Sequence, residues 1–249
     1  MNKGLLICLV LFCTHTLYSQ DWQFFDRYPL YGGIDAGYCF GMGKSSSQNN
    51  GVNGTAGSFN ATAQSGWTIN AQLGYQCNCW SSVEIQYVFL KNSYKWQTIF
   101  PGNFLENLSA DLHSHLALVN YCLQLGQLFN FACFEPYVTG GVGVAFNKLF
   151  NIKERVAVNA PVFPNVVFAI IDSRMHSNFC AQVGAGILRC FCQSWIVNLK
   201  FNGYYLGAFS SGDAREVVAP FPPVTQLIEP YKFKYNWIGA VTLGLGYCF

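Results

Sequence analysis

Residues 237–249 constrain the fold of this chain more than any other stretch, because they alternate between two kinds of side chain. One set is apolar, with aromatic residues toward its ends: Trp237, Gly239, Val241, Leu243, Leu245, Tyr247 and Phe249. The other set is small or weakly polar: Ile238, Ala240, Thr242, Gly244, Gly246 and Cys248. Successive side chains of a strand point to opposite faces, so the alternation predicts a strand with a lipid-facing side and a side that faces a crowded interior. This pattern is typical of a transmembrane barrel.

The end of this stretch resembles the carboxyl-terminal signature of bacterial outer-membrane β-barrels, whose last strand alternates in the same way and ends on Phe. The resemblance implies that Leu245, Tyr247 and Phe249 form a signal read by the barrel-insertion machinery. It also implies an integral, multi-pass protein of a Gram-negative-type outer membrane, with outer-membrane lipid and the insertion machinery as partners. The free edge of this strand must then pair with the first strand, because lipid cannot satisfy backbone hydrogen bonds.

The other end of the chain has the organisation of a secretory signal peptide. An early lysine is followed by an apolar run and then by small and polar residues. We therefore expect residues 1–20 to be a signal peptide and residues 21–249 to be the barrel domain. Lipoprotein processing at Cys13 is the less favoured alternative, because the preceding residue, Phe12, is bulky.

The composition of the chain favours a membrane barrel over a soluble domain. Hydrophobic residues make up 51% of the chain and charged residues 10%, whereas a soluble domain carries about a quarter charged residues. No apolar run after the signal peptide is long enough to cross a bilayer as a helix. The formal net charge is +2 and the sequence shows no cluster of Lys and Arg, so nucleic acid is excluded as a partner.

Seven further stretches follow the same period of two, and each is bounded by residues typical of turns or loops. They are 30–41, 67–77, 80–90, 111–122, 135–146, 178–188 and 195–206. The stretch 111–122 is apolar on both faces in its middle, and we place Ala117, Val119 and Tyr121 outward. The pattern predicts an all-β fold, a transmembrane antiparallel up-and-down β-barrel of eight strands. Ten strands are the alternative if 166–172 contains part of another hairpin.

Long and short connections alternate between the predicted strands, as in barrels with long external loops and short periplasmic turns. The long connections are 42–66, 91–110, 147–177 and 207–236. We expect these loops outside, with 42–66 the most flexible because it is rich in Ser, Asn and Gly. The stretch 135–146 is similar to the corresponding strand of small OmpA-like and opacity-type barrels, on its Gly-Gly-Val-Gly-Val motif.

Cysteine is abundant: the chain has eleven, of which Cys8 and Cys13 lie in the predicted signal peptide, so nine remain. Seven of the nine cluster at the predicted periplasmic end: Cys77, Cys79, Cys122, Cys133, Cys190, Cys192 and Cys248. This usage resembles the cysteine-rich major outer-membrane proteins. The resemblance implies disulfides between turns or to other envelope proteins in the oxidising periplasm. The odd total leaves at least one thiol unpaired or joined to another chain.

Other roles for cysteine are less favoured. Cys39 and Cys180 lie inside predicted strands, where a thiol acts as a small hydrophobic group. A metal site built from the two C-x-C pairs, at 77–79 and 190–192, is disfavoured because the usual zinc spacing is C-x-x-C. We therefore expect no metal and no cofactor.

One group of residues could in principle support catalysis, because alternation places Asp111, His113 and His115 side by side near the outer end of a strand. The comparison is with lipid A deacylases and omptin-type proteases of the outer membrane. Deacylases need a His followed two residues later by Ser on the same face, whereas Ser114 points to the opposite face. The favoured register also turns these residues away from the lumen. We expect polar residues at the outer membrane boundary and no catalytic residue.

A second group lies inside the predicted barrel. Asp35, Glu84 and Lys200 occupy inward positions at similar heights, and the small residues Thr242 and Gly244 leave room for Lys200 to reach Asp35. Unpaired charges in a tight interior are costly, so we expect these residues to form an ion-pair network. The favoured role is a structural plug, and the alternative is a gate for ions.

These observations predict a non-enzymatic outer-membrane barrel that contributes to envelope structure and displays surface loops. An eight-stranded barrel is filled by its own side chains and leaves no broad channel. A porin or narrow ion channel is the first alternative. An adhesin that binds a host surface through long loops such as 42–66 is the second.

Overall fold

The structure is a computed structural model that describes residues 29–49, 57–100, 104–126, 134–156, 166–191, 194–218 and 222–249. The predicted signal peptide, residues 1–20, lies outside the described residues. No helix in the described part of the chain has the length and hydrophobicity needed to cross a membrane. The described strands are, in chain order, β1 (Leu30–Gly41), β2 (Lys44–Asn49), β3 (Gly57–Ala63), β4 (Gly66–Asn78), β5 (Ser81–Phe100), β6 (Phe104–Gln124), β7 (Glu135–Val156), β8 (Val167–Ile171), β9 (Arg174–Phe191), β10 (Trp195–Tyr205), β11 (Phe209–Ser210), β12 (Ala214–Val217), β13 (Val224–Leu227), β14 (Lys232–Lys234) and β15 (Trp237–Cys248).

Eight of these strands form a closed antiparallel barrel in the order β1, β4, β5, β6, β7, β9, β10 and β15. The ring closes where β15 pairs with β1, from Tyr31 opposite Cys248 to Gly41 opposite Ile238. All backbone groups of the spanning strands therefore find partners within the ring, as lipid requires. The prediction of an eight-stranded, up-and-down barrel is confirmed.

The outward side chains of the barrel form an apolar belt. Ile34, Val142 and Leu243 are 64%, 54% and 62% exposed, whereas their inward neighbours are mostly buried. Exposed aromatic residues lie near both edges of the belt: Tyr75, Tyr121, Trp195 and Tyr247 at one edge, and Tyr38, Trp67, Phe146 and Trp237 at the other. An apolar band between two aromatic rims is the surface that a bilayer and its interfaces favour. We call the second set the upper rim.

The prediction that the long connections are loops is wrong over most of their described residues. β5, β6 and β7 run far beyond the upper rim, and β2, β3 and β8 continue the strands β1, β4 and β9. Residues 166–172 therefore contribute to β8, which continues β9, and add no ninth spanning strand. The connection 42–66, predicted to be flexible, contains the paired strands β2 and β3.

These outer strands form a second ring on top of the first. β2 pairs with β3, β3 with β5, β7 with β8, and β8 with β12. The hairpin formed by β11 to β14 completes the ring, because β12 pairs with β8 while β14 pairs with β2. We call this upper ring the extension. The backbone groups of the predicted loops are satisfied by neighbouring connections, which is why these segments are strands.

Short breaks separate the spanning strands from the extension. Gly43, between β1 and β2, has φ 140°, and Gly207, between β10 and β11, has φ 74°. Both values lie in the region that glycine adopts most easily. Tyr235, just before β15, has φ 59°. β5 passes through this level without a break, so it is part of both rings.

At this level the apolar side chains of β5 change from the outward face of the strand to its inward face. Below it, the outward residues Ile85 and Tyr87 are exposed and apolar. Above it, the exposed outward residues are Lys91 and Lys95, while Tyr94 points inward and is fully buried. Lipid surrounds the lower ring and water surrounds the extension, so the apolar side of the strand changes from outside to inside.

Candidate functional site

The lumen of the spanning barrel contains a buried ion pair. Lys200 Nζ lies 2.9 Å from Asp35 Oδ2, and the two side chains are 3% and 2% exposed. Lys200 also donates a hydrogen bond to Gln72 Oε1. The intervening strand β15 faces the pair with small residues, since Gly244 lies opposite Asp35 and Thr242 lies opposite Lys200. The charged side chains of β1 and β10 can therefore meet across β15, because the side chains of β15 at this level are small.

Gly244 provides the space for the Asp35 carboxylate, because a Cβ at this position would overlap Asp35 Oδ1. The same relation recurs around the lumen, where an inward glycine accommodates a large polar side chain of another strand. The further pairs are Gly74 with Tyr31, Gly141 with Asn120, Gly184 with Asn202, and Gly186 with Tyr137. The lumen is therefore packed by side chains that fit into glycine positions.

Glu84 lies apart from the ion pair. Its Oε1 accepts a hydrogen bond of 2.8 Å from the Tyr31 hydroxyl, which also lies 2.9 Å from Ser82 Oγ. Among the described residues, no Lys, Arg or His lies within ion-pair distance of Glu84. The structure thus brings Asp35 and Lys200 together and places Glu84, the third predicted member, with a phenol and a hydroxyl.

Amides and phenols fill much of the remaining lumen. Their side-chain hydrogen bonds join Asn120 to Gln86 (2.7 Å), Gln76 to Gln124 (2.9 Å), Gln182 to Asn202 (3.1 Å) and Tyr137 to Asn198 (2.8 Å). A cavity of about 30 Å³ remains between Asp35, Gln72, Glu84 and their neighbours, which is room for about two water molecules. The sequence analysis predicted the charged residues but not this amide layer, although all of its amides except Gln124 lie at inward positions of predicted strands.

The interior of the extension is apolar, in contrast to the lumen below it. Phe233 lies at its centre, with ring centroids 5.1 Å from Trp96, 5.3 Å from Phe209 and 5.7 Å from Tyr94. Trp96 also packs against Tyr231, at 5.7 Å. We call these five residues the aromatic plug. Three of the five come from the 207–236 connection, so the outermost hairpin contributes most of the plug.

Polar contacts tie that hairpin to the walls of the extension. The buried Arg215 of β12 makes a bidentate pair with Glu154 of β7, with nitrogen–oxygen distances of 2.7 and 3.0 Å. On β11, Ser210 Oγ lies 2.9 Å from His176 Nε2. Burial lowers the pKa of His176, which lies above the upper rim, and the nearby Arg174 acts in the same direction. The hairpin is thus fixed by charge-assisted hydrogen bonds.

The predicted cross-linking cysteines occupy different environments. Cys77 and Cys79 are exposed at the β4–β5 turn. Cys122 and Cys248 are 3% and 1% exposed, and Cys190 is half-buried. None of the seven cysteines in the described part of the chain is in a disulfide, and Cys133 and Cys192 lie outside the described residues. Of the described cysteines at this end, Cys77 and Cys79 are the ones open to another molecule.

The strand residues Cys39 and Cys180 are both fully buried. Cys39 Sγ lies 3.3 Å from Asn92 Oδ1 in the lumen. Burial of this kind fits a thiol that acts as a small packing group.

Asp111, His113 and His115 face outward near the upper rim. Asp111 accepts a 2.9 Å hydrogen bond from Asn151, and His115 Nδ1 lies 2.6 Å from the Tyr87 hydroxyl. The intervening Ser114 points inward and is fully buried. In the described part of the chain, no three His, Cys, Asp or Glu residues are grouped so that they could hold a metal ion.

The predicted insertion-signal residues Leu245, Tyr247 and Phe249 are exposed on the lipid-facing side of the last strand and its end. The Phe249 amide donates a 2.9 Å hydrogen bond to the Leu30 carbonyl, so the chain end is paired with the start of β1. Recognition of these residues by the insertion machinery stays a prediction.

Comparisons with known proteins identify the fold. No protein-family model matches the sequence, and no curated protein matches it. Among solved structures, the chain is similar to the outer membrane protein OprG from Pseudomonas aeruginosa, with a TM-score of 0.53 and 14% identity over 89% of this chain and 97% of that chain. Neisserial surface protein A matches with a TM-score of 0.42 and 11% identity over 89% of this chain and 97% of that chain. The amino-terminal β-barrel domain of Pseudomonas aeruginosa OprF matches with a TM-score of 0.36 and 11% identity over 88% of this chain and 97% of that chain. The closed eight-stranded ring, its lipid-facing belt and the fold shared with OprG make this chain a small β-barrel of the bacterial outer-membrane type.

Proposed function

We propose that this protein is a sealed, non-enzymatic barrel that contributes to the structure of the outer membrane. The observation that supports this most directly is that the interior is filled at two levels. The buried Asp35–Lys200 pair and the amide layer occupy the spanning barrel. The aromatic plug occupies the extension above it.

Planar-bilayer recording tests whether the barrel is sealed. We expect no conductance steps from the wild-type protein. We also expect none from Lys200→Ala, because the aromatic plug would still fill the extension. Steps from the wild-type protein would instead support the narrow-channel alternative. Steps from Lys200→Ala alone would show that the ion pair is a gate. Liposome swelling with small sugars provides an independent measure of a wider pore.

The structural role includes cross-linking to other envelope proteins through the exposed β4–β5 turn. Cys77 and Cys79 support this, because both thiols are accessible at the end of the barrel predicted to be periplasmic. On non-reducing gels of native envelopes we expect disulfide-linked multimers that disappear in the Cys77→Ser/Cys79→Ser variant. The matched control is Cys122→Ser/Cys248→Ser, which removes two buried thiols and leaves the multimers in place. A single monomer band with and without reductant would reject cross-linking.

The contribution to the envelope is tested in cells. Deletion of the protein is expected to increase sensitivity to detergent, and the wild-type chain is expected to restore resistance. Normal detergent resistance in the deletion strain would reject this role. Host-surface binding through 42–66 stays a prediction, and binding assays with a shortened β2–β3 hairpin test it.

A further inference from the structure

Basic side chains gather on the outer face of the barrel just above the lipid-facing belt. Lys91 of β5 lies opposite His113 of β6, which lies opposite Lys148 of β7. One row below them, Phe89 lies in line with Phe146 of the upper rim. The first row of basic residues therefore lies where lipid headgroups meet water.

A second basic row lies farther from the membrane on the same strands. Lys95 is opposite Ser109, and Ser109 is opposite Lys153. Lys44 joins this row through β3, because Thr62 is opposite both Lys44 and Lys95. Lysines two strands apart in a row have backbones about 10 Å apart, and the two rows are separated by about 13 Å along β5.

We call Lys44, Lys91, Lys95, Lys148 and Lys153 the basic face. No lysine of the basic face forms an ion pair with a described carboxylate, although the exposed Glu216 of β12 lies two strands from Lys153 in the same row. Asp111 is the one described carboxylate that points outward among these strands, and Asn151 donates a hydrogen bond to it. A surface of this kind attracts anions.

The first row, Lys91, His113 and Lys148, lies on one side of the barrel. β1 and β15 contain no Lys or Arg, and the single lysine of β10, Lys200, points into the lumen. On that side the outward residues near the upper rim are aromatic, including Tyr38 and Trp237. A general attraction to the membrane surface would not need such a one-sided arrangement.

We propose that the basic face binds the phosphate groups of a phosphorylated glycolipid of the outer leaflet, of the lipid A type. Lysine ammonium groups form charge-assisted hydrogen bonds with phosphate oxygens. The apolar belt directly below, with Ile85 and Val119 exposed, offers a surface for the acyl chains of the same molecule. His113, whose backbone lies between those of the two lysines of the first row, is packed between the rings of Phe89 and Phe150, at 5.4 and 4.5 Å.

The combination of phosphate-binding lysines and an acyl-chain surface favours a lipid over a soluble polyanion. The site does not depend on whether the barrel conducts ions. It also does not depend on the described cysteines, which lie at the opposite end of the spanning strands or inside them.

Native mass spectrometry of the folded protein in detergent tests the proposal. The probes are diphosphorylated lipid A and the dephosphorylated lipid with the same acyl chains. We expect the wild-type protein to prefer the diphosphorylated lipid by about tenfold or more, and Lys91→Gln/Lys148→Gln to lose that preference. The control Lys232→Gln/Lys234→Gln removes the same charge from β14, which pairs with β2 farther from the membrane than Lys44, and is expected to keep the preference because the first row is intact.

Folding of each variant is checked by its heat-dependent migration on gels. Lys91→Arg/Lys148→Arg keeps the charge and is expected to retain the preference, which separates phosphate binding from general damage. Equal wild-type affinity for the two lipids, or full binding by the Gln variant, would overturn the proposal. Displacement of the lipid by millimolar inorganic phosphate would also overturn it, because that result would indicate a site for the free ion.

Discussion

At the scale of single residues, the lumen depends on two kinds of matched pair. In one, two opposite charges meet; in the other, a large side chain occupies the space left by a glycine. Lys200 stabilises Asp35, and Gly244 gives Asp35 its space. Neither contact involves residues close in sequence. Each pair requires a fixed register between β1, β15 and β10, so the lumen residues also specify the alignment of the seam.

Removing one member of the ion pair leaves a buried charge. Lys200→Met is expected to destabilise the barrel by about 3–5 kcal/mol, because the Asp35 carboxylate loses its counter-charge. Asp35→Asn/Lys200→Met is expected to recover most of that loss. Denaturant unfolding in detergent micelles measures both values. Equal destabilisation by the single and the double variant would contradict the pairing.

Gly244→Ala tests the space for the carboxylate separately from the charge. We expect a loss of about 1–3 kcal/mol, since the added methyl group overlaps Asp35 Oδ1 and forces overpacking. Gly140→Ala is the matched control, because a Cβ at the outward Gly140 meets no atom closer than 4.0 Å. The unfolding midpoints of the two variants should differ, and identical midpoints would contradict this account.

At the scale of elements, the extension depends on its outermost hairpin. The aromatic residues of this hairpin fill the upper ring, while Arg215 fixes it to β7. The spanning strands do not need these contacts for their own pairing, so the two rings are expected to lose structure at different points of a denaturation.

Phe233→Ala tests that separation. Loss of the central ring of the aromatic plug is expected to lower the stability of the extension by about 3–5 kcal/mol. The extension should then become sensitive to protease, while the spanning barrel keeps its heat-dependent migration on gels. Limited proteolysis followed by gel analysis measures both. The control Leu227→Ala truncates a side chain that is 83% exposed and is expected to leave the cleavage pattern unchanged.

The spanning elements could be predicted from the sequence and the extension could not, for one physical reason. The predicted third strand ends at Leu90, close to where the apolar residues move from odd to even positions. The strand continues, and the change of phase marks the passage from lipid to water, where Tyr94 and Trp96 become the inward residues. A rule that allows one such change of phase in a barrel strand would have found β5 in full.

The candidate sites could likewise be predicted only in part from the sequence. Asp35 and Lys200 were predicted to meet because both occupy inward positions at similar heights, on either side of a strand whose inward residues are small. The basic face was missed, since its lysines are dispersed in sequence and the chain shows no cluster of Lys and Arg. Cross-strand register, which brings Lys91 and Lys148 to the two sides of His113, depends on pairings that a single sequence does not reveal.

At the scale of the whole molecule, the same barrel meets two solvents. The lower ring presents an apolar outside to lipid, whereas the extension exposes charged residues such as Lys91 and Lys95 beside single apolar ones such as Leu227. The polarity of each surface therefore reports the position of the molecule relative to the bilayer.

Leu243→Arg tests this assignment, because Leu243 lies in the middle of the lipid-facing side of β15. The substitution is expected to cost about 2–4 kcal/mol when the protein folds into liposomes. Leu227→Arg, in the water-exposed extension, is expected to change folding by less than about 0.5 kcal/mol. Equal effects of the two substitutions would show that the belt is not in contact with lipid.

The seam between β1 and β15 has a consequence for how the molecule is made. Tyr31 is paired with Cys248, so the ring joins residues from nearly opposite ends of the chain. Contacts of such long sequence separation form slowly, because the entropy of closing the intervening loop is lost before they form. Without β15, the other seven spanning strands would form an open sheet whose two edges, on β1 and β10, have no partner. Assembly is complete only when that strand is in place, and a chain that stops short of it has no way to close.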